Sequence, residues 1–348
     1  MKFYVFSQDL KTRHQVAAPL SVQWEIQYND IGKCSIEVPA TEENINELKK
    51  HYILYSPEIN EHGRAAVIEQ ISINDDGSTL SVCGYTANYL LSYRVLTDKI
   101  NVYNVEAAAY KMVEDNLRGM NLVCASSKGY SDIYDTERIT KSVSKQVISL
   151  LEQVEMGHCV KLDTTNLKWV FEVFKGEDKT RAASESNLVL MPENGRLKSL
   201  KFTDDDSEFY NAAYVTGEIV GASTVNVWTS LTTSMPQGDK RYELYVDADD
   251  ISYEKDAGSN LEAYKKLLVQ RGNEKLREQL PNITITSQLE TSEFFEHWNI
   301  GDKVTCKSNK YGIQYDVRIT GLKYTIDKNN YTVEVLFGAP LIIKKEGD

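Results

Sequence analysis

The chain has 348 residues, 41% hydrophobic and 26% charged, an ordinary composition for a folded soluble protein and enough for two or three compact units with a sizeable core. Lys and Arg total 39 against 51 Asp and Glu, a formal charge of −12, which disfavours a surface that tracks nucleic-acid phosphates or anionic membrane; an acidic channel wall would instead repel DNA and let it slide past. The opening "MKFYVFSQDLKTRHQ" lacks the charged-then-apolar order of a secretory leader, and no apolar run approaches the roughly 20 residues that span a bilayer, so neither a signal peptide nor a membrane span is expected.

The N-terminal part is β in pattern. In "VQWEIQYNDIGKCSIEVP", Val22, Trp24, Ile26 and Tyr28 alternate with polar residues, Asn29 to Gly32 supply turn chemistry, and Cys34, Ile36 and Val38 alternate again. That is a hairpin with one buried face. A second hairpin is expected in "AVIEQISINDDGSTLSVCGY", where Asp75-Asp76-Gly77 separates Ile68, Ile71 and Ile73 from Leu80 and Val82. Residues 1–95 therefore read as a small antiparallel β-barrel-like domain.

Residues 96–200 read as a mixed helix and strand domain. Asn104 caps "VEAAAYKMVEDNLRG", whose Val105, Ala108, Ala109, Met112, Val113 and Leu117 share a face and whose Gly119 is the stop. A second helix is expected in "SVSKQVISLLEQVEMG", ended by Gly157, and a strand in "LKWVFEVFKG", with Leu167, Trp169, Phe171 and Val173 inward. Residues 201–348 read as a second β-barrel-like domain with an inserted helix at about 259–280. Ser259 and Glu262 match a capping box there, and Gly272 falls on the apolar stripe, which points to close packing against another backbone. Four strands follow in "NITITSQLE", "GDKVTCKS", "YDVRITGLKYTID" and "YTVEVLFG", the last two joined by a turn at Asp327-Lys328-Asn329-Asn330. The fold class expected is α+β, mainly β, with no repeat or Pro-, Gly- or Ser-rich linker between its parts.

Chemistry is sparse. In "KFTDDDSEFYNAAYVTG", Asp204, Asp206 and Glu208 have the alternate spacing of a calcium loop, but Phe209 stands where that loop needs Gly and Val215 where it needs Glu. An acidic turn is the better reading, as it is for Asp247, Asp249 and Asp250. His14, His51, His62, His158 and His297 form no HxH or HxxxH pair, and His158-Cys159 reads as structural. The five cysteines, Cys34, Cys83, Cys124, Cys159 and Cys306, are odd in number and never in a CxxC pattern; they read as buried thiols of a reducing compartment. "GEDKTR", Gly176 to Arg181, lacks the spacing of a phosphate loop, so a polar exit from a strand is the better reading. No catalytic, cofactor-binding or metal-binding residue is assigned. Tyr28 and Tyr324 stand for the many tyrosines on strand alternation, which packing explains first.

Taken in order, these pieces resemble the hub, or tail-tip, protein family of long-tailed phages, prophages and related contractile particles. The resemblance rests on Trp24, Gly32 and Pro39 in the first hairpin, on Ile68 to Gly84, on "YLLSYRV", on Gly176, Asp178 and Thr180, and on Val215 and Gly217. It continues with Arg241, Glu243, Tyr245, Val246, Asp247 and Ala248, with Arg271-Gly272 inside a helix, and with Gly301, Asp302, Val304, Arg318, Ile319, Thr320, Phe337 and Gly338. Lys179 and Glu185-Ser186 depart from the family pattern.

The resemblance implies a structural protein of the virion tail, assembled in the host cytoplasm. It implies a ring, usually a homotrimer, in which two small β-barrels per subunit make a tube continuous with the tail tube. The implied partners are other copies of the chain, the tail tube or distal tail protein, and a tip, spike or fibre protein, with DNA passing through unbound. It implies no enzyme and no cofactor. The ending "FGAPLIIKKEGD" suggests no further domain, so any wall cleavage is expected from a partner. Two other readings remain open: a peptidoglycan-cleaving tail enzyme using the 204–208 or 247–250 carboxylates, and a carbohydrate- or receptor-binding tail module using exposed Tyr and Trp.

Overall fold

The computed structural model describes residues 1–338 except 17–18, 76, 99, 101, 135–141, 181–188, 280–281, 289–294 and 328–329. The chain opens with strands β1 (Tyr4–Phe6), β2 (Arg13–Gln15), β3 (Ser21–Gln27) and β4 (Lys33–Pro39), helix α1 (Glu42–Glu47), and strands β5 (Ile53–Tyr55), β6 (Ala65–Ile73) and β7 (Thr79–Thr86). After a 3-10 segment, Ala87–Tyr93, come α2 (Val105–Glu114), β8 (Leu122–Cys124), α3 (Val143–Glu152), β9 (Gly157–Asp163), β10 (Lys168–Phe174) and the two-residue β11 (Asp178–Lys179). Then follow β12 (Lys201–Asp205), β13 (Ala212–Val220), β14 (Ser223–Thr229), β15 (Glu243–Asp247), α4 (Leu261–Arg277), β16 (Asn282–Gln288), β17 (Lys303–Ser308), β18 (Ile313–Asp327) and β19 (Asn330–Phe337). Two compact units result: of the described residues one holds 1–134, 142–201 and those from 285 on, the other 202–284.

The α+β, mainly β class stands, but the barrel-like ends take another form. The N-terminal hairpins and the C-terminal strands are neighbours in one large antiparallel sheet, ordered β16, β19, β18, β3, β4, β7, β6, β5, β1, β2, and no sheet closes into a barrel among the described residues. The join is β3 against β18, with Trp24 opposite Tyr324 and Ile26 opposite Leu322. On the inner face Val22, Trp24, Ile26, Ile36, Val38, Leu322, Tyr324, Val333 and Val335 are all buried. Trp24 can be buried because its indole Nε1 donates to the Gly63 carbonyl at 2.8 Å, and Tyr324 because its hydroxyl accepts from Asn60 N at 3.1 Å.

The first hairpin forms with the predicted face inward. In the second, a bulge at Glu69 shifts the register between Ile68 and Gln70, and Ile73, expected inside, is 56% exposed at the far end. A second core in the same unit gathers α2, α3, the 3-10 segment and the sheet β8, β10, β9 around Val105, Val147, Leu150 and Phe171. Asn104 caps α2 as expected, accepting from Ala107 N at 2.9 Å, whereas α3 ends at Glu152, ahead of Gly157. Gly157 instead opens β9, where a Cβ would lie 2.3 Å from the Tyr28 ring.

The second unit is a three-stranded sheet, β14, β13, β15, with β13 antiparallel to β14 and parallel to β15. α4 packs on one face through Tyr264, Leu268 and Leu276 against Ala213, Val215 and Val246. The close approach expected at Gly272 is present, but to side-chain methyls rather than to backbone: a Cβ there would sit 2.4 Å from Thr229 Cγ2 and 2.7 Å from Val215 Cγ2. The cap of α4 lies one residue later than predicted. Asn260, not Ser259, accepts from Glu262 N and Ala263 N, while Ser259 takes a φ of +58°.

Candidate functional surface

The short motifs after β10, before β17 and within β18 meet in one polar knot. Asp302 is almost fully buried, and its carboxylate accepts from Glu177 N, Asn299 N and Lys179 Nζ, each at 2.8 Å. Asp178 closes its own turn by accepting from Thr180 N at 3.0 Å and Thr180 Oγ1 at 2.8 Å, and β11 pairs in parallel with β17. Segment 176–180, expected to be a polar strand exit, is thus built into the sheet.

Arg318 donates to the Gly301 carbonyl at 2.6 Å and to Glu155 Oε2 at 2.7 Å, and its guanidinium lies 5.3 Å from the Tyr28 ring centroid. Burial works against the Glu155 carboxylate, yet the hydrogen bonds and charges of Lys303 and Arg318 hold its pKa below the ordinary value. Glycine is required at two of these positions. A Cβ on Gly176 would lie 1.9 Å from the Gly301 carbonyl carbon, and one on Gly301, at φ +94°, would lie 2.4 Å from the Tyr28 ring.

The outer face of the large sheet is polar across its centre. Residues paired across an antiparallel ladder share a face, so the registers give one continuous row: Thr332, Thr325, Gln23, Ser35, Cys83 and Gln70. A neighbouring row is Glu334, Lys323 and Glu25, and a third is Asp327, Ser21, Glu37, Ser81 and Ser72. A shallow groove runs over this face between Gln23, Lys33, Ser35, Gln70 and Lys323. Counting Lys33, the face carries four carboxylates, Glu25, Glu37, Asp327 and Glu334, against two ammonium groups. It is hydrophilic and acidic on balance.

The sequence matches the model of the Siphovirus ReqiPepy6 Gp37-like protein family over residues 2–120 and 121–339. The chain belongs to this family. No curated protein matches it. Among solved structures it is similar to the tail protein from Neisseria meningitidis MC58, at a TM-score of 0.58 and 12% identity, covering 97% of this chain and 96% of that one. It is similar to the 43 kDa tail protein of prophage MuSo2 from Shewanella oneidensis, at a TM-score of 0.58 and 9% identity over 98% and 99% of the two chains. A chain of the Francisella PdpA–VgrG complex is matched at a TM-score of 0.50 and 10% identity, over all of this chain and 60% of that one. This Gp37-like chain therefore has the fold of phage and prophage tail proteins.

The remaining candidate residues fall into place around that fold. Asp205 accepts from Ser207 N at 2.9 Å, the hydrogen bonds that fix an acidic turn and lower the Asp205 pKa. The side chain of Asp204, Arg181 and the Glu185-Ser186 pair lie outside the described residues. Asp247 accepts from Asp249 N at 3.0 Å, and Asp250 pairs with Arg271 of α4 at 2.7 Å. Among the described residues no three His, Cys, Asp or Glu side chains form a cluster able to hold a metal ion, and no helix is long and apolar enough to cross a membrane.

His158 is fully buried, its Nδ1 3.2 Å from Asn29 Oδ1, and burial lowers its pKa to about 4. His62 stacks on Phe174 at 4.2 Å, and burial likewise lowers its pKa to about 4. All five cysteines are free thiols, and burial raises the Cys159 and Cys306 pKa values to about 12. These thiols are held far from the thiolate form a nucleophile needs. Sequence reasoning missed the polar rows because each strand shows only its own alternation; the register that aligns them is set by other strands.

Proposed function

We propose that this chain is a structural baseplate-hub or tail-tip subunit, acting by geometry rather than catalysis. In this reading copies assemble as a ring, a homotrimer, that joins the tail tube or distal tail protein to a tip, spike or fibre protein in the virion tail. The ring encloses the channel through which DNA passes. The observation that carries the reading is the polar, acidic outer face of the large sheet, on a fold shared with tail proteins. Such a face suits a lumen wall, since surplus carboxylates repel phosphates, which keeps DNA from sticking. The knot around Asp302 and Arg318 then serves to hold the sheet's C-terminal strands rigid behind that wall.

The test is assembly. The purified chain is mixed with its neighbouring tail proteins and imaged by electron microscopy. Rings with threefold symmetry and a central hole are expected. A strict monomer, even with those partners present, overturns the proposal.

A further inference from the structure

A solvated sheet face ordinarily carries polar residues, and the outer face of the second unit's sheet departs from that rule in a patterned way. With α4 covering the opposite face, one row across the three strands is Trp228, Tyr214 and Tyr245, and the next row on the same face is Asn226, Thr216 and Asp247. The aromatic rings neighbour one another, with Tyr214 to Trp228 at 4.9 Å and Tyr214 to Tyr245 at 6.4 Å between centroids, tilted by 47° and 42°. Arg241 lies 4.3 Å from the Trp228 ring centroid and pairs with Glu243 at 2.7 Å. Trp228 is 42% and Tyr245 64% exposed. Packing within the unit does not use this row, because the core lies on the other side of the sheet.

We propose that this face is a binding strip for an uncharged glycan. A pyranose ring has an apolar face of C–H groups and a rim of hydroxyls, and the strip offers both complements side by side. Exposed aromatic rings stack on the first; an amide, a hydroxyl, a carboxylate and the held guanidinium exchange hydrogen bonds with the second. Strands lie about 4.8 Å apart and same-face residues about 6.8 Å along a strand, so the two rows span an area of about two sugar rings. Glu243 and Asp247 flank the strip against Arg241 alone, which disfavours phosphate-bearing polymers and favours neutral sugars. The inference does not depend on ring assembly, since a monomer carries the same strip.

The experiment uses the full chain and the one exposed tryptophan as its own probe. Trp24, Trp169 and Trp298 are 0%, 5% and 2% exposed, so acrylamide quenching of intrinsic fluorescence reports Trp228. Chitotetraose, cellotetraose and maltotetraose are titrated separately. Saturable protection of Trp228 by at least one of them is expected, with affinity weakened about tenfold by Tyr245→Ala and also weakened by Asn226→Ala. The exposed position of Tyr245 leaves the thermal transition of the variant unchanged, which separates lost binding from lost folding. Absence of protection at millimolar sugar, or wild-type affinity in Tyr245→Ala, overturns the proposal. A Tyr245→Ala variant that loses self-association by light scattering, with no sugar effect in either protein, reassigns the strip to a subunit contact.

Discussion

Replacing Gly272 by alanine sets two opposed effects against each other within one helix. In a helix interior, Gly→Ala ordinarily gains about 1 kcal/mol, because alanine loses less backbone freedom on folding. Here the new Cβ would sit 2.4 Å from Thr229 Cγ2 and 2.7 Å from Val215 Cγ2, where carbon atoms prefer roughly 3.5–4.0 Å. Both neighbours are β-branched side chains on paired strands, so they yield only by moving α4 off the sheet. Overpacking of this kind costs about 1–3 kcal/mol, and two rigid contacts place it at the upper end. The net is a loss of about 2 kcal/mol, on the order of 10 °C in the transition of a unit this small.

Circular dichroism melts of the full chain, followed in the helical band, measure the effect. Thr229→Ser in the same chain removes the closer methyl while keeping the hydroxyl that donates to Asn273 Oδ1 at 2.7 Å, so the double variant is expected to recover part of the loss. A higher melting temperature for Gly272→Ala alone would refute the close-packing argument, since only propensity would then be acting.

Gly301→Ala is expected to destabilise the first unit strongly, because it combines a Cβ 2.4 Å from the Tyr28 ring with a φ of +94°; a denaturant midpoint equal to wild type would contradict this. Asp302→Asn removes the charge that holds Lys179 and weakens the bonds from Glu177 N and Asn299 N, a cost of about 2–4 kcal/mol visible in the same titration. His158 stays neutral in the folded chain down to about pH 4 but titrates near 6.5 when unfolded. Its contribution is therefore present at neutral pH and lost as pH falls from about 6.5 towards 4, to a limit of about 3 kcal/mol. His158→Gln is expected to be less stable at pH 7 but to show a shallower fall in stability across that window, and an unchanged slope would exclude the histidine as its source. On the proposed ring assembly, Gln23→Lys with Thr325→Lys is expected to slow DNA release from assembled tails in a salt-dependent way; release at the wild-type rate would argue against this face lining a channel.

Much of the local structure is legible in the residues themselves. The alternation at Val22, Trp24 and Ile26 gives a one-faced strand, Asn104 marks where α2 begins, and Gly272 on an apolar stripe announces a close contact. These are effects of neighbours a few residues away, governed by periodicity, capping and backbone freedom. The small failures are local competitions that tertiary contacts decided. Past the bulge at Glu69, Ile73 pairs with the buried Leu80 but is the last residue of its strand and stays exposed, and Asn260 took the cap because Ser259 is held at positive φ.

The site lies on the other side of that divide. Gly176, Asp178, Gly301, Asp302 and Arg318 appear in the sequence as separate weak motifs, and only folding brings them into one knot, across separations such as the 125 residues between Glu177 and Asp302 and the 163 between Glu155 and Arg318. The same holds for the polar face and the aromatic strip, whose rows exist only in the register of several strands. By itself the sequence determined a mainly β chain with three amphipathic helices, because helix and strand periods are set by residues within a turn or two. The tertiary structure decided that the N- and C-terminal strands share one open sheet and which side chains line up across it, because strand pairing is fixed by long-range burial of matching faces, which no single segment carries.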